Sequence, residues 1–582
     1  MPGLRVALAQ INPTVGDLVG NAELIVERSH EALRAGAHVV VFPEMVLTGY
    51  PVEDLALRLT FGRASRRAVD GLARRLASAG CGEMLVYVGY LDRDDAGPRN
   101  AVAALWRGAV VARQFKHHLP NYSVFDEHRH FRPGDTVEVL RLHGVDIGLA
   151  ICQDLWEDGG PITALAAAGV DLVVSPNASP YERSKADARM AVVGRRATEA
   201  GAPLVYTNLV GGQDDLVFDG GSIVVAADGS VVARAPQFAE HLLVVDHELT
   251  PGGYTAEGRF AGLRVRRRAL VGQPVAELGP IVEPTVAEPL STDGEVWSAL
   301  VLGLRDYVRK NGFRTVVLGL SGGIDSAVTA AIAADALGGD AVFGVAMPSR
   351  YSSEHSVSDA AELARRIGCD FRVEPVADLV RVLVDQLKLA GTGVAEENIQ
   401  ARVRGMLLMA LSNLDGHLVL ATGNKTELAV GYSTIYGDAV GGFAPIKDVF
   451  KTHVWQLARW RNAEASKNGQ VPPIPENSIS KPPSAELRPG QLDSDALPDY
   501  ALLDDILDAY VESDRGQADL LAAGFTPEMI DRVVRMVDRA EYKRRQYPPG
   551  TRITFKAFGR DRRLPISNRW SETGMTSPGA PA

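Results

Sequence analysis

Cysteine is scarce: Cys81, Cys152 and Cys369 are the three in 582 residues, and their spacing forms no pairs. That argues against a disulfide framework and against a cysteine-rich zinc site. Positive charge is also in deficit. With a net charge of -11, a nucleic-acid partner gains no electrostatic support, and none is expected. Long apolar runs are missing, and the chain passes from its first residues into Leu4-Arg5-Val6-Ala7-Leu8-Ala9-Gln10 without a charged leader. A cytoplasmic protein with no membrane segment is the expectation. What remains is an ordinary globular composition, 46% apolar and 23% charged, at a length that suggests two to four domains.

The most informative stretch is Gly319-Leu320-Ser321-Gly322-Gly323-Ile324-Asp325-Ser326, which follows Thr315-Val316-Val317-Leu318 and precedes Ala327-Val328-Thr329-Ala330-Ala331-Ile332. It reads as strand, Gly-rich turn, helix. Gly322 and Gly323 let backbone approach a ligand, and free N–H groups at the helix start favour a polyphosphate oxyanion. No Gly-Lys-Ser/Thr closes the loop, so it is not a Walker A motif. Asp325 offers a carboxylate for Mg²⁺ beside the phosphates. The plain alternative is a Gly-rich strand-to-helix turn. The full string resembles the pyrophosphate loop of N-type ATP pyrophosphatases, which implies adenylation of a carboxyl or carbonyl oxygen and release of pyrophosphate.

Upstream, short apolar runs alternate with helix-like stretches such as 22–35 and 183–200, which argues an α/β domain with active groups at strand ends. Glu44 follows one such run, Lys116 another and Cys152 a third. A thiolate nucleophile, a cation lowering its pKa or holding an oxyanion, and a carboxylate accepting the thiol proton make a coherent set. Taken singly, each is equally a structural cysteine, a solvated glutamate or a solvated lysine.

Phe42-Pro43-Glu44, Lys116 with Leu119-Pro120-Asn121-Tyr122 and Phe125-Asp126-Glu127, and Ile151-Cys152-Gln153-Asp154 resemble the carbon–nitrogen hydrolase (nitrilase) family. The resemblance implies a four-layer αββα sandwich over 1–247, with Cys152 as nucleophile, Glu44 as general base and Lys116 as oxyanion support. It further implies a glutamine site from Tyr122, Glu127, Ser179 and Lys185. In the glutamine-hydrolysing members a glutamate follows the cysteine, whereas this chain has Gln153. A neutral amide there predicts weaker attraction for the substrate's α-ammonium.

Residues 248–294, with Pro251-Gly252-Gly253, Pro280, Pro284 and Pro289, read as a connector draped over a surface. Within them Arg264-Val265-Arg266-Arg267-Arg268 reads as a solvated or interface-forming turn. From 295 to 570 the strand–helix rhythm is that of a doubly wound, Rossmann-like parallel sheet. Asn398 and Arg402 lie four apart on one helical face, and Thr422-Gly423-Asn424-Lys425-Thr426-Glu427 is a turn at a strand end. With Gly431-Tyr432-Ser433-Thr434 and Tyr436-Gly437-Asp438, these strings resemble the synthetase domain of the NAD synthetase family.

That resemblance implies ATP at 319–326, Thr422, Lys451 and Ser484, the last on a mobile cover at 472–500. It implies nicotinic acid adenine dinucleotide (deamido-NAD) at Asn398, Arg402, Glu427 and Lys556, and Mg²⁺ on Asp325 and Glu427. The expected reaction is adenylation of the nicotinate carboxylate, then attack by ammonia from the glutaminase half. A homo-oligomer, a dimer or a higher assembly such as an octamer, is expected by analogy. Residues 571–582 are expected to form a loose tail. Two rivals stay open: an amidase–pyrophosphatase acting on another carboxylate, and a binding protein with a decayed amidase.

Overall fold

The computed structural model describes residues 3–248, 255–271, 282–389 and 393–570. The expected tail at 571–582 lies outside them, as do Pro251-Gly252-Gly253 and Pro280. Close contacts divide the chain into two units. One is Met1–Gln213 with Val217–Leu290, and the other starts at Ser291 and includes Asp214–Leu216.

The first unit is built on two sheets. One has six strands in the order His241–Glu248, Gly3–Gln10, Val39–Val41, Leu85–Asp94, Gly97–Trp106, Ala109–Phe115. The other has eight: Val231–Arg234, Ile223–Val225, Leu204–Asn208, Leu172–Asn177, Val145–Leu149, Thr136–Leu142, Leu263–Ala269, Gly258–Phe260. Alternating strand residues divide between two faces. Leu4, Val6, Leu8, Val39 and Val41 pack against Leu140, Ile147, Leu149, Val174 and Val205 in a core between the sheets. Ala7, Ala9 and Val40 turn outward onto helices Leu18–Arg34 and Leu59–Leu76. Val137, Val173 and Leu204 do the same beneath helices Gly160–Ala168 and Lys185–Ala200. The result is the expected αββα sandwich.

The connector reading is corrected over part of its length. Leu263–Ala269 pairs in parallel with Thr136–Leu142, and Gly258–Phe260 pairs with it in turn. The Arg-rich stretch is therefore a strand, not a turn. Leu263 and Val265 point inward, 3% and 1% exposed, while Arg266 and Arg268 pair with Glu138 and Arg267 pairs with Asp146. Charge on the alternate positions masked a period-2 pattern.

The second unit has a four-stranded, all-parallel sheet in the order Asp370–Val373, Val342–Ala346, Val316–Gly319, Leu418–Val419. Helix Val394–Asp415 covers one face, through Ile399, Val403 and Leu408 on Val317, Val345 and Val419. Helix Ile324–Leu337 packs on the same strands and on helices Thr292–Lys310 and Lys451–Lys467. Strand order reverses between Val316–Gly319 and Leu418–Val419, and a ligand crevice is expected beyond the carboxyl ends at such a switch point. Among the described residues no helix is long and apolar enough to cross a membrane.

Candidate active sites

In the first unit the three strand-end residues converge. Glu44 leaves the strand Val39–Val41 on a loop that runs against strand Leu85–Asp94, where Gly89 is required. A Cβ there would sit 2.2 Å from the Met45 nitrogen and 2.5 Å from the Pro43 carbonyl oxygen. Lys116 Nζ donates to Glu44 Oε1 at 2.8 Å and to Glu127 at 3.0 Å. Asn100 Nδ2 donates to Glu44 Oε1 at 2.7 Å, the Ala178 N–H donates to Glu44 Oε2 at 2.9 Å, and Tyr50 Oη donates to Glu127 at 2.9 Å. Each carboxylate is thereby pinned.

Cys152 opens a 3-10 turn, Cys152–Leu155, with a positive φ of 46°, a strained setting for a residue with a side chain. Its thiol lies in the fields of the Glu44 carboxylate and of Lys116. Lys116 pulls the pKa of the thiol down, as expected from the sequence. Burial, helped by the Glu44 charge, pushes the thiol well up, and Lys116 offsets this only in part. Cys152 rests protonated, with the Glu44 carboxylate as its acidic neighbour. Burial likewise raises Glu127 to about 7, against the pull of Lys116.

Asp154, quoted in the motif but given no role by it, proves central. It is 0% exposed, and its carboxylate accepts the His118 N–H at 2.8 Å and the Ile151 N–H at 3.0 Å. It joins the backbone just after Lys116 to the backbone just before Cys152. Burial raises its pKa to about 6. Of the glutamine-site expectations, Tyr122 Oη donates to Gln153 Oε1 at 3.0 Å, and Lys185 Nζ donates to the Pro180 carbonyl at 3.0 Å. Ser179 is buried beside Ala178, its N–H donating to Asn208 Oδ1 at 2.9 Å.

In the second unit the strand Val316–Gly319 runs into the Gly-rich turn and helix Ile324–Leu337, as read from sequence. Gly322 has φ 73°, and a Cβ on it would meet the Ser356 carbonyl oxygen at 2.5 Å, so the turn needs glycine. No side chain caps the helix that follows. The turn lines a cavity of about 750 Å³ shared with Asn398, Thr422, Glu427, Lys451 and Ser484.

Lys451 Nζ pairs with Asp325 and lies 3.5 Å from Glu427 Oε1. Asn424 caps helix Lys425–Val430 in a reciprocal box with Glu427 and also donates to Asp325 Oδ1 at 2.9 Å. Burial and the neighbouring Asp325 lift Glu427 to about 8, Lys451 opposing. Two carboxyl groups whose ionised forms repel each other, beside a Gly-rich turn, are a hard-oxygen donor set that fits Mg²⁺.

Two predicted contacts stand apart from this lining. Arg402 lines an adjoining apolar groove and donates to the Ile435 carbonyl at 3.2 Å. Lys556 pairs with Asp514. The 472–500 stretch contributes more than Ser484. It forms helix Glu476–Ser480 and the turn Asp493–Asp495, and Asp493 accepts from Tyr500 Oη at 2.8 Å and from Tyr432 Oη at 3.3 Å. The Asn424-x-x-Glu427 capping box was visible in the sequence; Asp493 and Asn100 carried no local signal.

The profile of the carbon–nitrogen hydrolase family matches residues 5–251, and that of NAD synthase matches 296–547. The glutamine-dependent NAD(+) synthetase of Acinetobacter baylyi is 43% identical over 98% of this chain and 99% of its own length. That of Rhodobacter capsulatus is 45% identical over 98% and 99%. The solved structure of the Acinetobacter baumannii glutamine-dependent NAD+ synthetase in complex with ADP is 40% identical, with a TM-score of 0.72 over 98% of this chain and 100% of that one. The chain belongs to the family of glutamine-dependent NAD(+) synthetases.

Proposed function

We propose that the chain amidates deamido-NAD to NAD with ATP, drawing the nitrogen from glutamine, and that the residues brought together above carry the two half-reactions. The observation that supports it best is the pairing in one chain of a pinned Cys–Glu–Lys set with a Ser-Gly-Gly turn facing Asp325, Glu427 and Lys451.

In the glutaminase half, Glu44 takes the Cys152 proton as sulfur attacks the glutamine carboxamide. Lys116 Nζ holds the oxyanion, ammonia leaves with the proton returned by Glu44, and Glu44 then activates water to release glutamate from the thioester. Glu127 and Asn100 keep Lys116 and Glu44 in place. In the synthetase half, the nicotinate carboxylate attacks the α-phosphorus of ATP and pyrophosphate departs. Ammonia then attacks the acyl carbon and AMP leaves. Backbone at 321–323, with Lys451, faces the charge that develops on phosphate, and Thr422 and Ser484 border the nucleotide. Asp325 and Glu427 would hold Mg²⁺, which supplies charge neutralisation on the phosphates.

Ammonia passes between the half-reactions without equilibrating with solvent, because the bulk pool is mostly protonated near neutral pH. Glutamine labelled with ¹⁵N in its amide should give labelled NAD even under excess unlabelled ammonium, and dilution of the label would refute the transfer. ATP and deamido-NAD together speed glutaminase turnover, and an unchanged rate on saturating both would refute that coupling. The protein is cytoplasmic and a homo-oligomer by analogy with its family, and the apolar groove that exposes Leu387, Met406 and Tyr436 offers a surface for self-association.

Cys152→Ala tests the division of labour. It should abolish glutamine-supported NAD formation and spare synthesis from high ammonia, whereas Asp325→Ala should remove both. Loss of ammonia-supported synthesis in the Cys152 variant would defeat the assignment.

A further inference from the structure

Glutamine carries an α-ammonium, and a pocket that selects it over other carboxamides gains from a negative charge at that end. Gln153, next to the nucleophile, supplies none. It is 4% exposed, and its amide is engaged at both ends, Oε1 by Tyr122 Oη at 3.0 Å and Nε2 donating to Glu157 Oε1 at 3.0 Å. The amide thus fixes a carboxylate one helical turn further on, as i,i+4 spacing allows.

Nothing else consumes that carboxylate. Among the described residues Glu157 makes no ion pair. The nearby Arg196 donates to the Glu157 backbone carbonyl at 2.7 Å, and its remaining donors go to Leu155, Asp158 and Glu199. His118 also lies in the field of Glu157, but burial and His117 hold its pKa below the usual histidine value, which keeps it neutral. Glu157 itself is exposed, and the amide that holds its carboxylate belongs to the residue next to the nucleophile. The Tyr122 hydroxyl that anchors Gln153 feels both Cys152 and Glu157, and burial holds its pKa above the ordinary value. Lys185 Nζ stands 5.8 Å from the indole centroid of Trp156, the residue before Glu157.

We propose that Glu157 receives the α-ammonium of glutamine and that Gln153 is the positioning residue that holds it there. The proposal rests on Cys152 being the glutaminase nucleophile. It removes the expected penalty of a neutral residue after the cysteine, because the charge has moved from that position to the next turn.

The test compares ammonia release by the full-length enzyme from glutamine and from 4-carbamoylbutanoate, which keeps the carboxamide and carboxylate but lacks the ammonium. Glu157→Gln should lower the ratio of kcat/KM values, glutamine over analogue, by about 10- to 100-fold, mostly through the KM for glutamine. Both substrates are read on one preparation, so any loss of folded enzyme cancels. A ratio within about twofold of wild type overturns the proposal. Gln153→Met should lower the ratio by less, and the double variant should match Glu157→Gln alone, since Gln153 acts through Glu157. Additive losses would instead put Gln153 on the substrate and overturn its positioning role. If Glu157→Gln does not accumulate, Glu157→Asp, with its shorter reach, should shift the same ratio in the same direction, and an unchanged ratio there overturns the proposal equally. Failure of the wild type to release ammonia from either substrate would strike the parent assignment of Cys152 and not this one.

Discussion

Lys116 lies between Glu44 and Glu127, and Lys451 between Asp325 and Glu427, so each unit sets one ammonium against two carboxylates. In the first trio the side chains are 1%, 1% and 3% exposed; in the second Lys451 is 2% exposed and both carboxylates are 18% exposed. The same charge inventory thus serves two ends. A sealed trio, fixed by Asn100, Tyr50 and the Ala178 N–H, has little left to exchange with except the proton on Cys152. An open trio leaves carboxylate oxygen accessible, which the proposed Mg²⁺ and its phosphates would require.

Removing each lysine separates the two cases. Lys116→Met should cut glutamine-supported synthesis by about 10³-fold or more and destabilise the fold by about 3–5 kcal/mol, because two carboxylates stay buried without their cation. Ammonia-supported synthesis should persist. Lys451→Met should lower both ammonia- and glutamine-supported synthesis by about 10²-fold, with a smaller shift in denaturation midpoint because water reaches its partners. Equal shifts for the two variants would erase the contrast between sealed and open.

Proton uptake offers a finer measure. Glu427, raised to about 8, is largely protonated at pH 7. A divalent cation favours the ionised form, so Mg²⁺ with a non-hydrolysable ATP analogue should bind with release of about one proton and bind more tightly as pH rises from about 6 to 8. Calorimetry in buffers of different ionisation enthalpy reads the proton, and Glu427→Gln should abolish its release.

The smallest effect concerns Asp154. Asp154→Asn should lower glutaminase kcat by about three- to tenfold, since one of its two backbone-accepting oxygens is lost. Its folded pKa of about 6 lies above the unfolded value of about 3.9, so the native state holds the extra proton between them. Stability from this group is full below about pH 4 and falls as pH rises through 6. The asparagine variant should flatten that stretch of the stability curve, which chemical denaturation at several pH values would show.

The local elements of both sites were legible because each is punctuated by residues with a single physical use. Gly322 needs its positive φ, and Glu44, Lys116 and Cys152 each end an apolar run. What joins them was not legible. Asn100 meets Glu44 across 56 positions and Asn424 meets Asp325 across 99, and no window of sequence carries pairings that depend on sheet order. The pull of a lysine on Cys152 could be read from a motif, whereas the desolvation that outweighs it could not. Where the synthetase residues match family strings, Asn398, Thr422, Glu427, Lys451 and Ser484 gather on one cavity, while Arg402 and Lys556 take other partners.

The arginine strand bears on how the molecule can be taken apart. Leu263–Ala269 runs alongside Thr136–Leu142 and brings Arg266, Arg267 and Arg268 to Glu138 and Asp146, which are 2% and 0% exposed. A glutaminase fragment ending at residue 247 would strip those guanidinium groups from two sunken acids and bare a sheet edge. A fragment carried on to Leu290 retains both strands and is the one expected to stay in solution when produced alone.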